Sequence, residues 1–260
     1  QIVGLSATVS NSKEIADWLD ATLVESDFRP VPLRKGISLD RYIKWDDGET
    51  DQIGLEGVNG IAIDNMPEQA LVFVSTRRSA EAQAKNLAML IGKRLQNEDK
   101  QILQEYSEKI KSSADEVTSV DSNLSKLISG GVAYHHAGLT NGQRQIIEDA
   151  FKSKALKVLC ATPTLAAGVN LPAKRVIIRD LTRWESTFQS TQPLPVLEVQ
   201  QMLGRAGRPG FDVDGEGILV AKKHDQIEYF TETYFEGETE PVLSRLGGEP
   251  ALRTHLLSLI

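Results

Sequence analysis

Cysteine is almost missing from this sequence: Cys160 is the only one in 260 residues, and it lies in an apolar run. One thiol cannot build a disulfide framework, so a reducing, cytoplasmic setting is expected. No apolar run approaches the ~20 residues needed to cross a bilayer, which argues against a membrane partner. Histidine is scarce too, four in all, and the adjacent pair His135-His136 has no cysteine at zinc-ligand spacing, so no metal site is expected. Positive charge is in deficit, with 29 Lys and Arg against 36 Asp and Glu, a net charge of −7. That excludes a surface that grips nucleic acid by general excess of positive charge; any such contact must come from a few placed groups. No Gly-x-x-x-x-Gly-Lys-[Ser/Thr] occurs, and Asp115-Glu116 follows Lys111-Ser112-Ser113-Ala114 rather than a buried strand. The chain therefore lacks both the lysine loop that cradles nucleotide phosphates and the carboxylates that hold their metal.

What is present alternates short β-branched runs with helical patterns, the mark of an α/β fold with a mostly parallel sheet. Strands are expected at Ile2 to Leu5, Ile37 to Trp45, Ala70 to Val74, Val132 to His135, Val158 to Ala161, Val176 to Ile178 and Gly217 to Ala221. Helices are expected from Ser12 to Leu19, after Val74 (Ala80, Ala84, Leu87 and Ile91 spaced by threes and fours) and after the capping box Thr140-Asn141-Gly142-Gln143. Residues 96 to 125, rich in Lys, Glu and Ser, read as an exposed helical insertion. Beyond Lys223 the pattern changes, and a further helix with Leu252, Leu256, Leu257 and Ile260 is expected.

Three strand ends carry groups suited to phosphate. Ser75-Thr76-Arg77 follows one strand, His136 ends the next, and Thr162 and Thr164 follow a third. Open α/β sheets bind ligands at the carboxyl ends of their strands, where helix-start amides and hydroxyls can meet an anion. Adjacent strand residues face opposite ways, so one histidine is expected to be packed and the other to point at the ligand edge. Gln201-Met202-Leu203-Gly204-Arg205-Ala206-Gly207-Arg208-Pro209-Gly210 sets two arginines three apart, which on a helical turn would share one face and reach a nucleotide.

These segments resemble the ordered motifs of superfamily 2 helicases. Gly4 to Thr8 resembles motif III, Ala70 to Arg78 motif IV, Thr162 to Pro172 motif V and Gln201 to Arg208 motif VI. The Gly-Val-Asn-Leu-Pro-Ala wording at 168 to 173 is similar to the superkiller-like (Ski-type) branch, and to the archaeal DNA repair helicases within it. The resemblance implies a RecA-like fold in three parts: 1–28 as the tail of a first motor domain, 29–222 as the second motor domain, and 223–260 as the start of a winged-helix domain. It implies that Arg205 and Arg208 are catalytic fingers toward ATP, and that Gln201, Gly168 and Asn170 contact the nucleotide. Ser75, Thr76, Arg77, His136, Thr162 and Thr164 would hold the strand, and Ser6 and Thr8 would couple the two sites. Between motifs V and VI, Leu181 to Leu194 would form a β-hairpin carrying Trp184 and Phe188 that parts the duplex. The complete enzyme would use ATP and Mg²⁺, with no cofactor held stably by this segment alone. Its partners would be single-stranded and forked DNA and the first RecA-like domain of the same polypeptide, with the segment itself monomeric or weakly self-associating. The expected function is the C-terminal motor segment of an ATP-dependent DNA helicase in replication-coupled repair. An RNA helicase of the same branch, or a non-catalytic nucleic-acid-binding module, are the alternatives.

Overall fold

The computed structural model describes residues 3–5, 9–26, 28–112, 117–165 and 169–243. In chain order the strands are β1 (Leu33–Leu39), β2 (Tyr42–Trp45), β3 (Thr50–Gln52), β4 (Ala70–Phe73), β5 (Val132–His135), β6 (Val158–Ala161), β7 (Arg175–Ile178), β8 (Thr182–Glu185), β9 (Ser190–Pro193) and β10 (Gly215–Val220). The helices are α1 (Ser12–Trp18), α2 (Gly57–Asp64), α3 (Arg77–Ile91), α4 (Asn97–Ser112), α5 (Ser119–Ser129), α6 (Asn141–Lys152), α7 (Val196–Leu203) and α8 (Asp225–Phe230), which runs into a π-helical turn at Thr231–Phe235.

Eight strands form one sheet in the order β3-β2-β1-β10-β7-β4-β6-β5, while β8 and β9 pair separately. From β1 to β5 all neighbours are parallel; β2 and β3 extend the β1 edge antiparallel. Every residue of β4, β5 and β6 is buried, as expected of parallel strands covered by helices on both faces. Their register is level: Phe73 pairs with Ala161 and Ile178, and His135 with Ala161. The residues that follow these strands therefore emerge side by side on one edge.

The helix starts behave as their sequences require. Thr76 caps α3 by accepting the Ser79 N–H at 3.1 Å, and Ala80, Ala84, Leu87 and Ile91 turn inward. At α6, Thr140 Oγ1 accepts the Gln143 N–H (3.2 Å) while Gln143 Oε1 accepts the Thr140 N–H (2.9 Å), closing the capping box.

Three expectations are corrected. Ile37 to Trp45 is not one strand but parts of two: the chain reverses at Asp40, which takes φ +54°, and Leu39 pairs with Tyr42. Apart from Arg41, the apolar alternation keeps its phase across so short a turn, with Ile37 and Leu39 before it and Ile43 and Trp45 after, so the period alone conceals it. Residues 3–5 form no strand, and Val3 and Leu5 are exposed, because a strand needs a neighbour to satisfy its backbone and none of the described strands pairs with it. The described parts of the 96–125 region are no exposed insertion. There α4 and α5 pack together and bury Leu103, Ile110, Leu124 and Ile128, while the Ser107 and Ser125 hydroxyls meet at 2.7 Å. Its polar residues lie on the outer faces and mask the apolar stripe in a composition count. The first elements past residue 223, α8 and the π-helical turn, pack on the same core, with Phe230 and Tyr234 buried within it. The helix expected near Leu252 lies outside the described residues.

Candidate functional site

At the carboxyl edge of the sheet lies a groove of about 800 Å³. Ser75, Thr76 and Arg77 line it after β4, Ala137 after β5, and Thr162 and Thr164 after β6. Arg183 of β8 and Glu198 and Gln201 of α7 form the facing wall. The structure thus brings together five of the six residues expected to hold a strand.

The hydroxyls in this groove are mostly already committed. Both the N–H and the Oγ–H of Ser75 donate to Asp180 Oδ2, at 3.0 and 3.3 Å. Burial works to raise the Asp180 pKa, but the Arg179 guanidinium and the Ser75 N–H outweigh it and hold the group below the usual carboxylate range. Thr76 Oγ1 donates to Ser79 Oγ at 2.9 Å. Thr162 and Thr164 share one hydrogen bond of 2.9 Å, and since only one of them donates in it, one hydroxyl hydrogen is left for a third partner. The strongest donors for an incoming anion are the exposed Arg77 side chain and the first amides of α3, Arg77 and Arg78, which as helix-start groups have no carbonyl one turn back.

His136 does not line this groove. Helices cover both faces of β5, so both histidines are buried: His135 Nε2 meets Glu148 of α6 at 3.1 Å and His136 Nε2 meets Glu81 of α3 at 3.2 Å. His136 Nδ1 accepts the Gly138 N–H at 3.2 Å, so its Nε2 carries the proton and donates to Glu81. A Cβ at Gly138 would stand 3.1 Å from His136 Nδ1 and 3.2 Å from Arg77 Nη1. His136 therefore braces the turn that packs on Arg77, and the expected ligand-edge histidine is corrected to a supporting one.

The arginines stand elsewhere. The helix stops at Leu203, so Arg205 and Arg208 follow it instead of sharing one of its faces. Gly207 takes φ +91°, and its neighbour Ala206 bridges Ala173, with Ala173 N–H to Arg205 O at 3.0 Å and Gly207 N–H to Ala173 O at 2.7 Å. Ala173 precedes β7 and Gln69 precedes β4, so this loop lies at the amino ends of the central strands, opposite the groove. Arg208 donates to both oxygens of Asp212 (2.9 and 2.7 Å), to Gln69 Oε1 (3.3 Å) and to Glu68. The Asp212 hydrogen bond pushes the Arg208 guanidinium further up, whereas burial pulls Arg205 down. Gln201, expected beside the nucleotide, lines the groove instead, and α7 spans the distance between groove and arginine loop. Asn170 is exposed ahead of β7. Gly168, Ser6 and Thr8 lie outside the described residues.

Leu181 to Leu194 does form an antiparallel pair, with Thr182 opposite Pro193 and Glu185 opposite Ser190. Trp184 and Phe188 project from it, 66% and 65% exposed. Sequence reasoning missed Asp180, Arg183, Glu198, Glu68 and Asp212. Only Asp212 left a readable signal, a carboxylate four residues after Arg208; the others are brought in from distant parts of the chain.

Residues 107–210, which include β5, β6, the hairpin and both arginines, match the helicase conserved C-terminal domain. The chain carries a helicase C-terminal domain. Over its full length, 100% of the chain, it is 43% identical to the ATP-dependent DNA helicase Hel308 of Methanocella arvoryzae, 42% to that of Thermoplasma acidophilum and 41% to that of Pyrococcus horikoshii. It spans 35%, 36% and 35% of those proteins, about a third of their length. Among the described residues no three His, Cys, Asp or Glu side chains converge as a metal site, and no helix is long and apolar enough to cross a membrane.

Proposed function

We propose that this chain is the second motor segment of an ATP-dependent DNA helicase that moves along one strand and opens duplexes, in repair coupled to replication. The observation that carries this reading is the common edge of β4, β5 and β6, where Ser75, Thr76, Arg77, Thr162 and Thr164 share one groove. The Arg77 side chain, the first amides of α3 and the one uncommitted threonine hydroxyl hydrogen there suit a sugar–phosphate strand read without base specificity. The relatives' name, ATP-dependent DNA helicase, favours DNA over RNA. The partners would be single-stranded and forked DNA and a preceding RecA-like domain of the same polypeptide.

In this reading Arg205 and Arg208 face the γ-phosphate of ATP bound with Mg²⁺ on that preceding domain. The donor set fits: Glu68, a half-exposed carboxylate on Arg208, occupies a place that a phosphate oxygen can take, while the buried Asp212 keeps the guanidinium aimed. The ATP supplies the driving reaction when bound; these arginines would stabilise charge on its transferred phosphate. Exposed Trp184 and Phe188 would meet the duplex at the junction.

Arg205→Ala and Arg208→Lys in the full-length polypeptide test this. ATP turnover is expected to fall by roughly 10³ or more, as for other arginine fingers, with single-strand affinity retained. Unchanged turnover in both variants would replace the motor reading with a non-catalytic binding module. Equal opening of RNA and DNA duplexes by the parent would remove the DNA assignment.

A further inference from the structure

Tyr234 joins two elements that the sequence keeps apart. It lies in the π-helical turn after α8 and is fully buried. Its Oη stands 3.1 Å from the Leu194 carbonyl and 3.5 Å from the Leu181 carbonyl, the residues that flank the β8–β9 hairpin. The hairpin root is closed by the Leu194 N–H donating to Leu181 O at 2.8 Å. The carbonyl of Tyr234 itself accepts Gln200 Nε2 from α7 at 2.5 Å. One residue thus holds the hairpin root with its side chain and α7 with its backbone. A second tie runs parallel to it: Arg183 of β8 donates to both oxygens of Glu198 on α7, at 2.9 and 2.6 Å.

A two-stranded hairpin of this length has no core of its own, so its direction is set at its root. We propose that Tyr234 is a positioning residue that locks the angle of the hairpin to α7, so that movement of the helix leading into Arg205 and Arg208 reaches the hairpin instead of being absorbed at its base. The Arg183–Glu198 pair is the second strut of the same link. This rests on the reading of the hairpin as the strand-separating element. It assigns a role in that separation to a residue outside the motor motifs.

Tyr234→Phe keeps the ring and its packing on Phe230 and removes only the hydroxyl that the Leu194 carbonyl accepts. In the full-length polypeptide, forked-duplex opening is expected to fall about tenfold, as when one buried acceptor loses its donor. ATP turnover stimulated by single strands should stay within about twofold, because nothing that touches the nucleotide has changed. The readout is therefore base pairs opened per ATP consumed, which a merely structural lesion would not move, since it lowers both rates together. Opening that survives Tyr234→Phe, or turnover that falls in parallel with it, overturns the proposal. Trp184→Ala with Phe188→Ala separates it from the hairpin reading. If that variant loses opening while Tyr234→Phe does not, only the link fails. If it opens duplexes normally, the hairpin reading fails, and a loss in Tyr234→Phe would then show that Tyr234 acts elsewhere.

Discussion

Gly207→Ala is the substitution that most directly probes the arginine loop. Gly207 sits between Arg205 and Arg208 at φ +91°, a region that L side chains avoid at a cost of about 1–2 kcal/mol. A Cβ there would stand 2.6 Å from Val31 Cγ1, 3.0 Å from Val31 Cβ and 3.3 Å from Gly215 Cα. Val31 is buried and cannot swing aside; such overpacking adds about 1–3 kcal/mol. The total is about 2 to 5 kcal/mol, which in a chain of this size lowers the thermal midpoint by roughly 4 to 20 °C. Urea unfolding of Gly207→Ala measures it. Adding Val31→Ala removes the 2.6 Å contact but not the φ strain, so about 1–2 kcal/mol of the loss should return as a coupling energy. A Gly207→Ala loss below about 1 kcal/mol would refute the reasoning, because neither strain nor overlap could then be present.

Two further outcomes follow from buried ionisable groups. Asp121 accepts the Thr118 N–H (2.9 Å), the Thr118 hydroxyl (2.6 Å) and Gln143 Nε2 (2.7 Å), and the Thr118 hydroxyl bond leads in holding its pKa below the usual range. Asp121→Asn turns a donor toward donors and should cost about 2 kcal/mol in urea unfolding; a loss within error would remove Asp121 as the joint between α5 and α6. His135 is the opposite case: burial lowers its pKa, with the Glu148 hydrogen bond only partly restoring it. The unfolded chain then binds the proton more readily, so this contribution is complete above the unfolded value of about 6.5 and declines as pH falls below it. His135→Gln should flatten the fall in urea midpoint between about pH 7 and 5; an unchanged slope would show that another group carries it.

The groove was legible in sequence because strand period, cap chemistry and Gly/Pro punctuation are local. Ala70 to Val74 is uniformly apolar, Thr76 and Thr140 precede helices, and hydroxyls follow both β4 and β6, so each strand end could be placed without knowing its neighbours. Locality also explains the errors. The reversal at Asp40 keeps the phase of the alternation on either side of Arg41, and the stripe of Leu103, Ile110, Leu124 and Ile128 is diluted by its polar outer faces. His136 looked like a ligand because its partner, Glu81, is 55 residues away in sequence.

By itself, the sequence determined the α/β fold, the edge on which the hydroxyls gather, the presence of the hairpin and the pair of arginines beside two glycines. Only the tertiary structure decided what those groups face. Arg208 is held by Asp212 and Glu68 at the amino ends of the strands, Ser75 is spent on Asp180, and Gln201 belongs to the groove. The physical reason is that propensity and periodicity act within a few residues, whereas a buried donor must find its acceptor wherever the packed chain brings one.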